Sequence, residues 1–148
     1  MKKFRLLIIA FTLLSLLFIW MNSFLPSGAS SKASTFFTKL AAPFLEIFFG
    51  KGNVTEHLVR KLAHLTEYAF YGLWLALWME ADGRKALNAL FAGFITAFLD
   101  ETIQIFTGRG PSIKDVWIDS FGILAGIGCI HLILAISGYY SKKNRNTE

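Results

Sequence analysis

The residues able to do chemistry in this chain fall into three sets that are far apart in sequence. Arg60, His64 and Glu67 form one set, Asp100, Glu101 and Gln104 a second, and Arg109, Ser112, Asp115 and Asp119 a third. Arg60/His64, Asp100/Gln104 and Asp115/Asp119 are four residues apart, and His64/Glu67 and Glu101/Gln104 three apart. On helices each set therefore shares one face.

Three chemistries fit these residue types. His64 with Glu67, Asp100 or Glu101 could hold a divalent metal that activates water. Neither an H-E-x-x-H pattern nor a cysteine cluster accompanies them, and no metal ligand is assigned from the sequence. Without a metal, His64 could act as an acid–base oriented by an aspartate, with Glu101 as the second catalytic candidate. No nucleophile stands beside it, because Ser112 and Asp115 have the S-x-x-D spacing of a helix cap. Lastly, Arg60, Lys61 and Arg109 could hold a phosphate or carboxylate, arginine being suited to bidentate recognition, while the acids hold the cations in place. Residue types alone leave all three open.

Plainer readings stand beside these. Arg60 and Lys61 could snorkel to lipid headgroups. Asp119 lies a turn deeper than the cap and is expected to pair with Arg109 or His64. Asp100 and Glu101 are adjacent and must point in different directions. His131 is expected to hydrogen-bond to a neighbouring helix, and His57 to lie outside the membrane. Gly122, Gly126 and Gly128 read as a small-residue packing face. Trp74, Trp78, Tyr139 and Tyr140 suit interfacial belts.

The elements that must position these groups follow from composition. Of 148 residues, 54% are hydrophobic and only 17% charged, against roughly a quarter charged in ordinary soluble domains. The apolar residues come in long blocks, which predicts an all-α, four-helix transmembrane bundle with spans near 5–25, 58–79, 86–106 and 116–138. The first block is read as an uncleaved anchor, since signal-peptide cores usually run only about 7–15 residues. "PSGASSKAST" is expected to be a turn-rich linker. "FFTKLAAPFLEIFFG", interrupted by Pro43, is expected to lie on the membrane surface or pack as an apolar lid. Asn53 and Glu56 have capping-box spacing ahead of the second span.

The net charge of +5 is better explained by membrane-flanking Lys and Arg than by nucleic-acid binding, because no long basic stripe stands alone. Lys2, Lys3 and Arg5, then Arg84 and Lys85, then Lys142, Lys143 and Arg145 fall on one side of a four-span layout, placing both termini in the cytoplasm. The three polar sets then meet at the outer face. Ionisable residues inside spans normally face the bundle interior or a wet cavity, which makes them a functional site by default. Cys129, the single cysteine, cannot form an internal disulfide.

"RKLAHLTEY", "LDETIQIF" and "GRGPSIKDVWIDSFGILAG", together with the four-span layout, resemble the VanZ-like family of bacterial membrane proteins. The correspondence runs through Lys61 and His64, then Asp100, Glu101 and Gln104, then Arg109, Ser112 and Asp115, and finally Gly122 and Gly126, within one membrane domain over 1–148. Gly108 stands near the Arg where the family commonly has Pro, and Asp119 where it often has Asn. The resemblance implies a link to teicoplanin-type lipoglycopeptide resistance, as for the founding members, or to envelope stress. It implies no established catalytic mechanism and assigns no cofactor. The expected ligand-binding residues are Lys61, His64, Glu67, Asp100, Glu101, Gln104, Arg109, Asp115 and Asp119. The expected partners are membrane lipids and either a lipid-linked anionic envelope component or the lipid-tailed antibiotic. The alternative is a membrane-embedded hydrolase or transferase acting on a lipid-linked phosphate or headgroup.

Overall fold

A computed structural model describes residues 2–110 and 112–145, with side chains to residue 138. Among the described residues the fold comprises five helices: α1 (Lys2–Phe24), α2 (Ser27–Phe49), α3 (Glu56–Ala81), α4 (Ala86–Phe106) and α5 (Ile113–Arg145). Among the described residues there is no strand. The chain is all-α, as expected.

Three helices, α1, α4 and α5, are long and apolar enough to cross a membrane. At 26 residues α3 is long enough, but it falls short in apolar character and is not among them. The reason lies in its own sequence, where His64, Glu67, Tyr68 and Tyr71 interrupt the apolar run. Packing compensates, because α3 touches all four other helices and presses most extensively on α5. It contributes Tyr68, Tyr71, Leu75 and Met79 to the core. The outward faces are greasy instead: Phe91, Phe98 and Phe121 are each at least 60% exposed. A soluble monomer rarely shows so much contiguous apolar surface, which fits lipid as the solvent.

Between lipid-bathed helices, close van der Waals packing rather than water exclusion drives association. Glycines supply it where α3 meets α5. A Cβ on Gly126 would lie 2.1 Å from the Ala69 carbonyl oxygen, and one on Gly122 2.5 Å from that of Leu65. Ile123, between them, is fully buried against Gly72 of α3 and Gly93 of α4. Gly128 meets nothing within 4 Å, so the packing face consists of Gly122 and Gly126 without it.

α1 buries Ile8, Thr12, Ser15, Ile19 and Ser23, a stripe stepping by three or four, and packs on α3 and α4. Its buried hydroxyls satisfy themselves locally, Thr12 Oγ1 donating to the Ile8 carbonyl at 2.9 Å and Ser15 Oγ to that of Phe11 at 2.6 Å. Arg5 and Asp82 form an ion pair at 2.7 Å that ties the start of α1 to the α3–α4 turn.

Several expectations are corrected. The linker expected over "PSGASSKAST" is helical, and Ser27–Phe49 forms one continuous helix that Pro43 does not interrupt. The helix opens directly after Pro26, which accepts the first backbone bonds from Ala29 and Ser30. Thr55 caps α3 by accepting the Leu58 backbone N–H at 3.2 Å, while the Asn53 side-chain Nδ2 donates to the Phe49 carbonyl and closes off α2. Trp74 is half-buried and stacks on Phe11 with ring centroids 4.6 Å apart, and Trp78 packs against the core. The side chains of Tyr139 and Tyr140 lie outside the described residues.

Candidate functional site

The start of α3, the end of α4 and the start of α5 come together, which brings the three polar sets to one place. Lys61 Nζ lies 3.4 Å from Asp115 Oδ1, and His64 Nδ1 lies 3.4 Å from Asp119 Oδ1. The Ser112 amide donates to Glu101 Oε2 at 2.8 Å. Two of these contacts join α3 to α5 and the third joins α4 to the head of α5, and together they fix where α5 begins.

Ser112 acts as a cap, its Oγ accepting the Lys114 amide at 3.2 Å. The reciprocal half of a capping box is replaced: Glu101, rather than Asp115, takes the Ser112 amide, which leaves Asp115 for Lys61. Asp119 pairs with His64 and not with Arg109. Arg109 reaches across to α1, where its Nη1 donates to the Asn22 carbonyl at 3.0 Å. Burial, together with the like charge of Arg60, pushes the Arg109 guanidinium below its ordinary value. An anion placed beside it relieves both effects.

Both members of the Asp100–Glu101 pair are buried, and they turn different ways as adjacent helical residues must. Glu101 turns to the head of α5. Asp100, fully buried, turns inward, where Ser23 Oγ donates to its Oδ1 and Gln104 Nε2 to its Oδ2 at 3.1 Å. Glu67 accepts from Asn22 Nδ2 at 3.2 and 3.3 Å through its two carboxylate oxygens. Thr107 Oγ1 donates to the Ser23 carbonyl at 3.2 Å. Away from this cluster, His131 Nδ1 stands 3.5 Å from Glu80 Oε1, a contact with the neighbouring helix outside hydrogen-bond geometry.

Asn22 and Ser23 were not expected at the site. Their one sequence signal is a polar pair, "NS", at the end of an otherwise apolar span. The start of α2 was missed as well: Ser27 and Ser30 line a cavity of about 190 Å³ with Arg60, Lys61, His64, Arg109 and Asp119. Ser30, Arg60, His64 and Arg109 also border a larger space of about 420 Å³, reaching Phe18, Phe37 and Glu67. Phe18 and Glu67 in turn border an apolar groove of about 440 Å³ between α1 and α3, lined by Phe11, Leu14, Ile19 and Phe70. Polar pocket, mixed chamber and greasy groove thus share walls in series. Along that series the lining changes from cations to aromatics.

The comparisons with known proteins agree with the residue pattern. The VanZ/LLP1 family model matches residues 6–134. The uncharacterized membrane protein YwnJ of Bacillus subtilis (strain 168) is 35% identical over 81 residues, covering 54% of this chain and 54% of that protein. The chain thus matches about half the length of this curated relative. No solved structure matches. With the family model spanning most of the sequence, from α1 well into α5, this chain is a membrane protein belonging to the VanZ/LLP1 family.

Proposed function

We propose that the chain binds an anionic amphiphile of the cell envelope, with its headgroup at Arg60, Lys61 and Arg109 and its tail in the groove between α1 and α3. One observation carries this reading: the cation-lined pocket runs through shared walls into an apolar groove. A phosphate or carboxylate suits the first compartment, and an acyl chain suits the last. The ligand-binding set is Lys61, His64, Glu67, Asp100, Glu101, Gln104, Arg109, Asp115 and Asp119. Asn22, Ser23 and the start of α2 complete its walls. Lipid-linked envelope components and lipid-tailed glycopeptide antibiotics both have this two-part chemistry, so binding would lower the effect of such a drug.

The same reading has α3 crossing the membrane enclosed by α1, α4 and α5, which makes four spans with both termini cytoplasmic and the site facing outward. The basic flanks at the termini and at Arg84 and Lys85 support that orientation. A sensitive bacterial host expressing wild type, His64→Ala and Arg109→Ala at matched membrane abundance tests the function. Protection against teicoplanin but hardly against vancomycin, abolished by both substitutions, is expected. If all strains match the empty vector, the resistance reading fails.

One contact favours a second reading. His64 against the buried Asp119 has the layout of an acid–base with its orienting carboxylate, as a hydrolase or transferase of lipid-linked phosphate would need. Glu101 is less suited, since the Ser112 amide occupies one of its oxygens. Phosphate release from a lipid-linked phosphate by purified wild type, absent in His64→Ala, would favour it.

A further inference from the structure

We propose that His64, Asp100 and Asp119 form a divalent-cation site where α3, α4 and α5 meet. One donor atom from each lies within 4.8 Å of the other two. Small rotamer adjustments bring such a set to the roughly 2.0–2.2 Å that imidazole nitrogen and carboxylate oxygen keep from a zinc-sized ion.

An independent observation points to a ligand. Asp119 is fully buried, and neither of its carboxylate oxygens has a hydrogen-bond partner among the described residues. His64 Nδ1, 3.4 Å away, is likewise buried outside hydrogen-bond geometry. A buried carboxylate with both oxygens unpartnered is strongly unfavourable unless a cation compensates it. Of the basic side chains that line the cavity, Arg109 is engaged with the Asn22 carbonyl and Lys61 with Asp115, while Arg60 is exposed.

Asp100 has the opposite arrangement, also suited to a ligand. Ser23 and Gln104 each donate to one of its oxygens, which fixes the carboxylate while leaving lone pairs free. Metal-binding carboxylates are typically held in place this way. One imidazole with two carboxylates suits a first-row ion such as Zn²⁺ or Mn²⁺. His64 and Asp119 both line the 190 Å³ cavity, so the ion's remaining positions face that pocket. The ion site does not depend on which amphiphile, if any, occupies the pocket.

The test uses the full chain in detergent, stripped with chelator and then titrated with Zn²⁺ or Mn²⁺ alone. Bound metal is counted by elemental analysis and thermal unfolding is followed in parallel. Wild type should bind one equivalent and unfold at a higher temperature with the ion. Asp119→Asn and Asp100→Asn should each weaken binding at least tenfold and lose the thermal shift, whereas His131→Ala should change neither. Ser23→Ala, which only frees the Asp100 carboxylate, should weaken binding by about tenfold. In chelator, Asp119→Asn should unfold no lower than wild type, because it removes an uncompensated buried charge. Folded wild type that binds no stoichiometric ion, or Asp119→Asn that binds as wild type does, would overturn the site. So would Asp119→Asn unfolding well below wild type in chelator, which marks a structural His64–Asp119 pair. Teicoplanin protection enters none of these readouts, so this site and the proposed function can fail separately.

Discussion

α3 and α5 meet twice, in opposite styles. Around Gly122, Ile123 and Gly126 the two backbones touch, and no polar side chain is spent. One turn toward the start of α5, the same helices present fully buried Asp119 and partly buried His64, whose facing carboxylate and Nδ1 atoms are inaccessible and without hydrogen-bond partners. A pair of buried groups so poorly satisfied would push two loosely packed helices apart. The glycine seam resists that, because backbone in contact with backbone has only one close arrangement. Tight packing at one depth therefore allows electrostatic strain at the next. Polar contacts with α1 and α4 close the cluster from the other sides.

The strongest way to break this pairing is through the seam. Gly126→Leu should destabilise by about 3 kcal/mol or more, since its Cβ meets backbone that cannot rotate aside. Thermal unfolding in detergent reads the loss, and teicoplanin protection should vanish with it although no polar residue has changed. A smaller loss comes from the cluster. Ser23→Ala leaves an Asp100 oxygen without its donor and should cost about 2 kcal/mol, measured by the same unfolding. Asp82→Asn at the far end of the molecule breaks the pair with the half-exposed Arg5 and should cost under about 1 kcal/mol in a denaturant titration. The smallest effect has the opposite sign. Gly128→Ala, with open space around it, should stabilise by about 0.5 kcal/mol because helical alanine loses less backbone entropy. A Gly126→Leu variant as stable as Gly128→Ala would remove the distinction between the two depths.

The sequence disclosed the site better than it disclosed the wall around it. Lys61, His64, Asp100, Asp115 and Asp119 were legible because helical spacing puts them on shared faces, and a short loop places the end of α4 beside the start of α5. Asn22 and Ser23 were not legible, since nothing local in α1 says that its last turn lies against Glu67 and Asp100. α2 was misread for a different reason. Its Ser-rich opening has poor helix propensity and reads as a linker, and Pro43 inside a helix removes a bond to the Lys39 carbonyl. The cap at Thr55 was displaced by two residues because Asn53 was taken up in closing α2. α3 is legible as a helix, yet its polar residues keep it below the apolar character of α1, α4 and α5. The residues that lower its hydropathy, His64 and Glu67, are also those that build the site.

The most direct test is the affinity of the full chain, in nanodiscs of neutral lipid, for a fluorescent single-chain alkyl phosphate. The same headgroup without the tail, and the same tail on a neutral headgroup, are measured alongside. Binding of the complete amphiphile alone, weakened at least tenfold in Arg109→Ala, is the predicted result. Equal binding of the neutral-headed compound, or affinity unchanged in Arg109→Ala, would contradict the proposed seating of an anionic headgroup at Arg60, Lys61 and Arg109.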